Sequence, residues 1–221
     1  MTDKQSAGNR DALEAGEGGL FHLLESNKAW AAGRVGRDPT FFHRLESQQK
    51  PRYFWIGCSD SRVPSTQILD LDPGEVFVHR NVANLAVAGD PNFDSALQFA
   101  VESLHVEHIL VVGHYGCGGI QATLEGRTGY PIGDWLAPVR SLHHAYARSG
   151  AADCDNPNTL CEHNVIAQVQ ALAANSIVQA AWQQLADLTL HGWVYGVADG
   201  LLRPVRKPVR NPFRLGADLL A

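Results

Sequence analysis

The spacing of apolar positions changes along the chain, and the changes mark its elements. Leu20, Phe21, Leu23 and Leu24 open an amphipathic stretch that predicts a helix over 20–30. A second helix is predicted from Asp38, with Pro39 at its first position, running through Phe41, Phe42 and Leu45. Tyr53-Phe54-Trp55-Ile56 is then a short continuous apolar run, as expected of a strand buried on both faces. Residues 75–79 and 108–112 predict two more such strands. Between them Leu97, Val101 and Leu104, four and three apart, share one face of a helix. Strand, helix, strand in this order implies a right-handed crossover and a parallel sheet.

Further on, Thr159-x-x-Glu162 and Ser176-x-x-Gln179 have the form of capping boxes and predict two helix starts. The first helix turns Val165, Val169 and Leu172 inward, and the second Val178, Trp182 and Leu185. Residues 189–195 predict a fourth strand. Beyond it, Arg203, Pro204, Arg206, Lys207, Pro208, Arg210 and Pro212 mix charge with proline, which suits an extended surface tail or an edge strand. The fold class is α/β, one domain with a mainly parallel sheet flanked by helices. It spans 20–203, between a disordered leader over 1–19 and a basic, proline-rich tail over 204–221.

Composition narrows the function. The 221 residues are 45% hydrophobic and 19% charged, enough to bury one sizeable core. A net charge of −5 gives no reason to expect nucleic acid or an anionic membrane as partner. No apolar run reaches membrane-spanning length. Residues 1–19 lack the apolar core of a signal peptide, which predicts a cytoplasmic protein. In that setting the four cysteines read as metal ligands, catalytic groups or core residues rather than as disulfide staples.

Two loops directly after predicted strands concentrate the chemistry: Cys58-Ser59-Asp60-Ser61-Arg62, and the glycine-rich run from Gly113 to Gly119 that carries His114 and Cys117. In a parallel sheet both lie at strand carboxyl ends, where α/β proteins build their sites. Two thiols and an imidazole suit zinc better than magnesium or calcium. Three protein ligands leave a fourth position for water or substrate. Against this stands the plain reading of buried cysteines as core residues. A phosphate cradle is the other rival, but the loop lacks both G-x-G-x-x-G and a P-loop lysine. Cys154 and Cys161 are seven apart, no nearby His or second Cys completes a zinc set with them, and both read as free thiols. His143 and His144 read as a solvated pair on a surface helix.

With CSDSRVP at 58–64, HRNVAN at 79–84, HYGCGG at 114–119 and GWVYG at 192–196, the chain resembles the β-class carbonic anhydrases over 20–203. The resemblance implies zinc on Cys58, His114 and Cys117, an Asp60–Arg62 hydrogen-bonded pair beside it, and reversible hydration of carbon dioxide to bicarbonate by hydroxide on that zinc. Two thiolate ligands make the metal's water less acidic than in tris-histidine sites, so activity is expected to rise above neutrality. Asp60 is also expected to coordinate zinc in a closed, inactive state. A bacterial subgroup carries a regulatory bicarbonate pocket, matched here by Trp55, Gly57, Arg80 and Tyr195. Gln49, Phe77 and Phe99 match the substrate positions. The resemblance further implies a homodimer, paired into a dimer of dimers, with the N-terminal helical arm packing on the partner. Two other readings stay open: a carbon disulfide or carbonyl sulfide hydrolase on the same site, and a zinc-stabilised binding module without catalysis.

Overall fold

The computed structural model describes residues 20–47, 49–150 and 153–213. The predicted leader and the end of the basic tail, 214–221, lie outside them. The chain divides into two compact units, 1–48 and 49–221. In the first, α1 (Phe21–Arg37) runs further than the apolar pattern predicts and buries none of its residues. The second helix, α2 (Phe41–Ser47), starts later than Pro39, because the Asp38 carboxylate holds the turn ahead of it by accepting from the Thr40 backbone N–H and hydroxyl at 2.9 and 2.7 Å. Trp30 meets Phe42 edge-on at 5.8 Å.

The larger unit is an α/β fold around a five-stranded sheet in the order β2-β1-β3-β4-β5. Strands β1 (Tyr53–Cys58), β2 (Val76–Asn81), β3 (His108–His114) and β4 (Thr189–Gly196) are mutually parallel. The short edge strand β5 (Leu201–Pro204) joins β4 antiparallel. The chain then stays extended and Val209 bridges to Leu190. Short helices α3 (Ser65–Ile68) and α6 (Ile132–Trp135) lie in connecting segments. Crossing from β2 to β3 passes over β1, through α4 (Pro91–Gln98) and a wider turn at Phe99–Ser103 that breaks the regular helical face expected through Leu104.

Two faces of the sheet bury different side chains. On one, Phe54, Ile56, Ile109, Val111, Leu190 and Val194 form a core with α8 (Pro157–Ala174) and α9 (Ser176–Gln183). On the other, Trp55, Leu110 and Val112 pack with Val63, Trp193 and Tyr195. Both helix starts differ from the capping-box prediction. Asn156 and Asn175 are the caps, accepting from Asn158 N and Ile177 N, so Thr159 lies inside α8 and Ser176 is the first residue of α9. Asparagine caps as well as serine does, and Pro157 at the first helical position fixes the start of α8.

Candidate metal centre

Cys58 closes β1 and His114 closes β3, one strand over. Cys117 follows a turn in which Gly116 takes φ +70°, a left-handed conformation that glycine adopts without strain, and it caps α5 (Gly118–Leu124). The two sulfurs and one imidazole nitrogen all lie within 4.8 Å of one another, and all three residues are buried. The sequence-predicted triad is therefore assembled by the fold.

Each ligand is prepared for a cation. His114 Nδ1 faces the Tyr115 carbonyl at 3.2 Å and donates to it. That leaves Nε2, fully buried and without a hydrogen-bond partner, holding a lone pair. The two sulfurs are 3.8 Å apart. The Cys117 contact, followed by His114 and the backbone N–H groups of Asp60 and Ala83, draws the Cys58 thiol down from its ordinary range. The same contact and burial push Cys117 up, since one negative charge opposes a second. A bound dication removes that conflict. Two thiolates at about 2.3 Å from a tetrahedral zinc stand about 3.8 Å apart, which is the separation found. The residues fit the metal.

Asp60 is the next group out. Its carboxylate takes a fork from Arg62, Nε to Oδ1 at 2.9 Å and Nη2 to Oδ2 at 2.7 Å, plus the Arg62 backbone N–H at 2.9 Å. The Arg62 side chain, first among the causes, holds Asp60 well below the usual carboxylate range. Oδ2 lies 3.7 Å from His114 Nε2. Arg62 Nη2 also reaches the Gly116 carbonyl at 3.2 Å, tying the dyad to the turn that carries Cys117.

The four residues matched to a regulatory pocket share one sheet face. Gly57 pairs with Arg80 in register, and Trp55 and Tyr195 follow by strand alternation. Trp55 is fully buried and its indole N–H has no partner. A Cβ at Gly57 would sit 2.1 Å from that nitrogen, so only glycine fits beside the indole. Arg80 donates through Nε and Nη2 to the Cys58 carbonyl at 2.9 and 2.7 Å, and through Nη2 to the Asp60 carbonyl at 2.5 Å. It fastens the backbone of the loop that carries Asp60.

Phe77 and Phe99 are not brought to the thiols within one chain. They meet each other at 5.8 Å, and Phe77 meets Phe54 at 5.5 Å. Phe77 lies four residues up β2 from Asn81, the register partner of Cys58, or about 13 Å away. Phe99 is 44% exposed and Gln49 is exposed.

Some supports escaped the sequence reading. Cys161, read as an unengaged thiol, donates to the His114 carbonyl at 3.2 Å from α8, and burial pushes its thiol up to about 12. On the same helix Asn164 donates to the Ala83 carbonyl, and Gln168 accepts from Ala86 N. The signal was present as polar residues at helical spacing on a face otherwise apolar. Tyr115 donates to Glu162 at 2.6 Å, and it is this partner first, then burial, that pushes the phenol up to about 12.

Comparison with known proteins agrees with this geometry. The family model described as carbonic anhydrase matches residues 53–202. A carbonic anhydrase of Emericella nidulans is 41% identical over 184 residues, covering 82% of this chain and 81% of its own. One from Candida albicans is 39% identical over 212 residues, covering 92% and 75%. Among solved structures, the Coccomyxa β-carbonic anhydrase superposes with a TM-score of 0.82 at 39% identity, covering 90% of this chain and 91% of its own. One of the two tetrameric β-carbonic anhydrases of Sordaria macrospora gives 0.81 at 34% identity, covering 87% and 100%. By motif, fold and relatives alike, the chain is an enzyme of the β-class carbonic anhydrase family.

Proposed function

We propose that this enzyme interconverts carbon dioxide and bicarbonate at a zinc held by Cys58, His114 and Cys117. The observation that carries the reading is the 3.8 Å sulfur pair set beside a buried imidazole nitrogen with no other partner. Zinc in that set supplies a Lewis acid that makes hydroxide available near neutral pH. The protein's own groups do the rest. Asp60, kept ionised and aimed by Arg62, accepts a hydrogen bond from a protonated oxygen nucleophile and turns its lone pair toward the carbon. The proton released on hydration leaves to buffer.

The substrate side is completed by a second copy. Phe77 and Phe99 are too far from the thiols to line the site in their own chain, yet they form an apolar pair with Phe99 open to solvent. A partner presenting this pair and Gln49 would give carbon dioxide the apolar surface it needs. The apolar residues of α1, none of them buried, suit the same dimer contact.

Regulation by bicarbonate rests on a separate observation, the buried Trp55 N–H without an acceptor. Leaving such a donor unpaired costs about 1–3 kcal/mol, which an anion would recover. An anion that drew Arg80 from the Cys58 and Asp60 carbonyls would loosen the loop holding Asp60. Asp60 could then take the metal's fourth position and close the site.

Stopped-flow hydration of carbon dioxide by zinc-loaded protein, with and without bicarbonate, tests these points. Turnover supports the reading. Turnover of carbonyl sulfide or carbon disulfide in its place reassigns the substrate, and inertness to all three leaves a binding module. Sigmoidal bicarbonate inhibition that disappears in Arg80→Ala and Tyr195→Phe supports the regulatory pocket; unchanged kinetics in both variants removes it.

A further inference from the structure

A second group of metal-ligating side chains lies apart from the triad. His143 projects from α7 (Ala137–Arg148), and Cys154 and Asp155 lie in the loop that leads into α8. Their donor atoms all fall within 4.8 Å of one another. Cys154, which sequence spacing leaves without a histidine, thus has one in reach, because α7 returns past the loop. We propose that His143, Cys154 and Asp155 bind a second divalent cation of the zinc type.

The chemistry of the donors sets the class. Imidazole and thiolate select borderline ions such as Zn2+ or Co2+ over Mg2+ or Ca2+. A thiolate and a carboxylate balance the dication, and the thiol's proton passes to solvent on binding. His143 Nε2 is 2.8 Å from Asp155 Oδ1, which on its own would be a surface ion pair. The sulfur converging on the same point makes it a three-donor set. A tetrahedral metal needs this nitrogen and oxygen about 3.3 Å apart, an opening of about half an ångström. The Asp155 side chain is 84% exposed and free to give it, while His143, 17% exposed, is held by its helix. With three protein donors, water completes the shell.

The test uses the zinc-loaded enzyme under reducing conditions, titrated with Zn2+ against a chromophoric chelator, with metal per chain read by mass spectrometry. The wild type is expected to take a second equivalent, release a proton, and lose thiol-reagent labelling at Cys154. Cys154→Ser and His143→Ala are expected to lose the second equivalent while keeping the first zinc and the hydration rate. Asp155→Asn should weaken it. Several results would overturn the proposal: no second equivalent in the wild type, one that survives in both variants, or one lost in Cys154→Ser but kept in His143→Ala, which is binding by a lone thiol.

Discussion

Arg62→Ala probes the Asp60–Arg62 pair most sharply. Of the three hydrogen bonds that Arg62 gives the Asp60 carboxylate, alanine keeps the backbone one to Oδ1 and removes both side-chain bonds, including the one to Oδ2. Oδ2 already stands 3.7 Å from His114 Nε2. A nitrogen and an oxygen on one tetrahedral zinc stand about 3.3–3.4 Å apart, so the freed oxygen is already close to ligand spacing from His114 and has to swing toward the two sulfurs to become a ligand. A well-placed acid–base group contributes about 10²- to 10⁴-fold in rate. Because one bond still aims Asp60, a loss near the lower end, about 10²-fold in kcat/KM at neutral pH, is expected. The assay is stopped-flow hydration on zinc-replete protein, paired with X-ray absorption at the zinc edge. The spectrum of the variant should gain a carboxylate oxygen, and Arg62→Lys, which cannot form the fork, should fall between. Turnover within about twofold of wild type, with an unchanged zinc spectrum, would refute the reasoning.

Two other outcomes follow from burial. Gly57→Ala drives a methyl against the fully buried Trp55 indole, 2.1 Å from its nitrogen and 3.0 Å from Cδ1, and should cost about 1–3 kcal/mol in urea unfolding while lowering zinc retention at adjacent Cys58; an unchanged midpoint would mean that the indole can move aside. His191 is held down at about 4 from its ordinary 6.5, by burial first, then by His108 at 3.3 Å and by Arg210. The unfolded chain therefore binds more protons between pH 6.5 and 4, and stability should fall by about 1–2 kcal/mol across that window as pH drops, a figure reduced for its half exposure. His191→Gln should flatten that slope.

What could be read from the sequence was local, and what could not was tertiary. The apolar runs located β1 and β3, and the observed strands add Gly57-Cys58 and Gly113-His114 at their ends. Those extensions were hidden because glycine reads as a strand breaker, although here it carries Cys58 and His114 to the carboxyl end of the sheet. The triad was legible because its motifs lie at strand ends. The sheet order was not, because no pattern within one strand names its neighbour. Register alone puts Arg80 beside Gly57, and only the packing of α8 brings Cys161 to the His114 carbonyl. The same limit hid His143 from Cys154, since their meeting depends on how α7 returns past a loop.

If zinc on Cys58, His114 and Cys117 carries the hydration of carbon dioxide, the activity must follow the metal. Protein stripped by a chelator should be inactive, and its hydration rate should return in proportion to added zinc until the triad is filled. Because two thiolates offset the dication's charge, the restored rate should climb from about pH 6.5 to 9. Activity that survives stripping, or a Cys58→Ser variant that regains full rate with zinc, would contradict it.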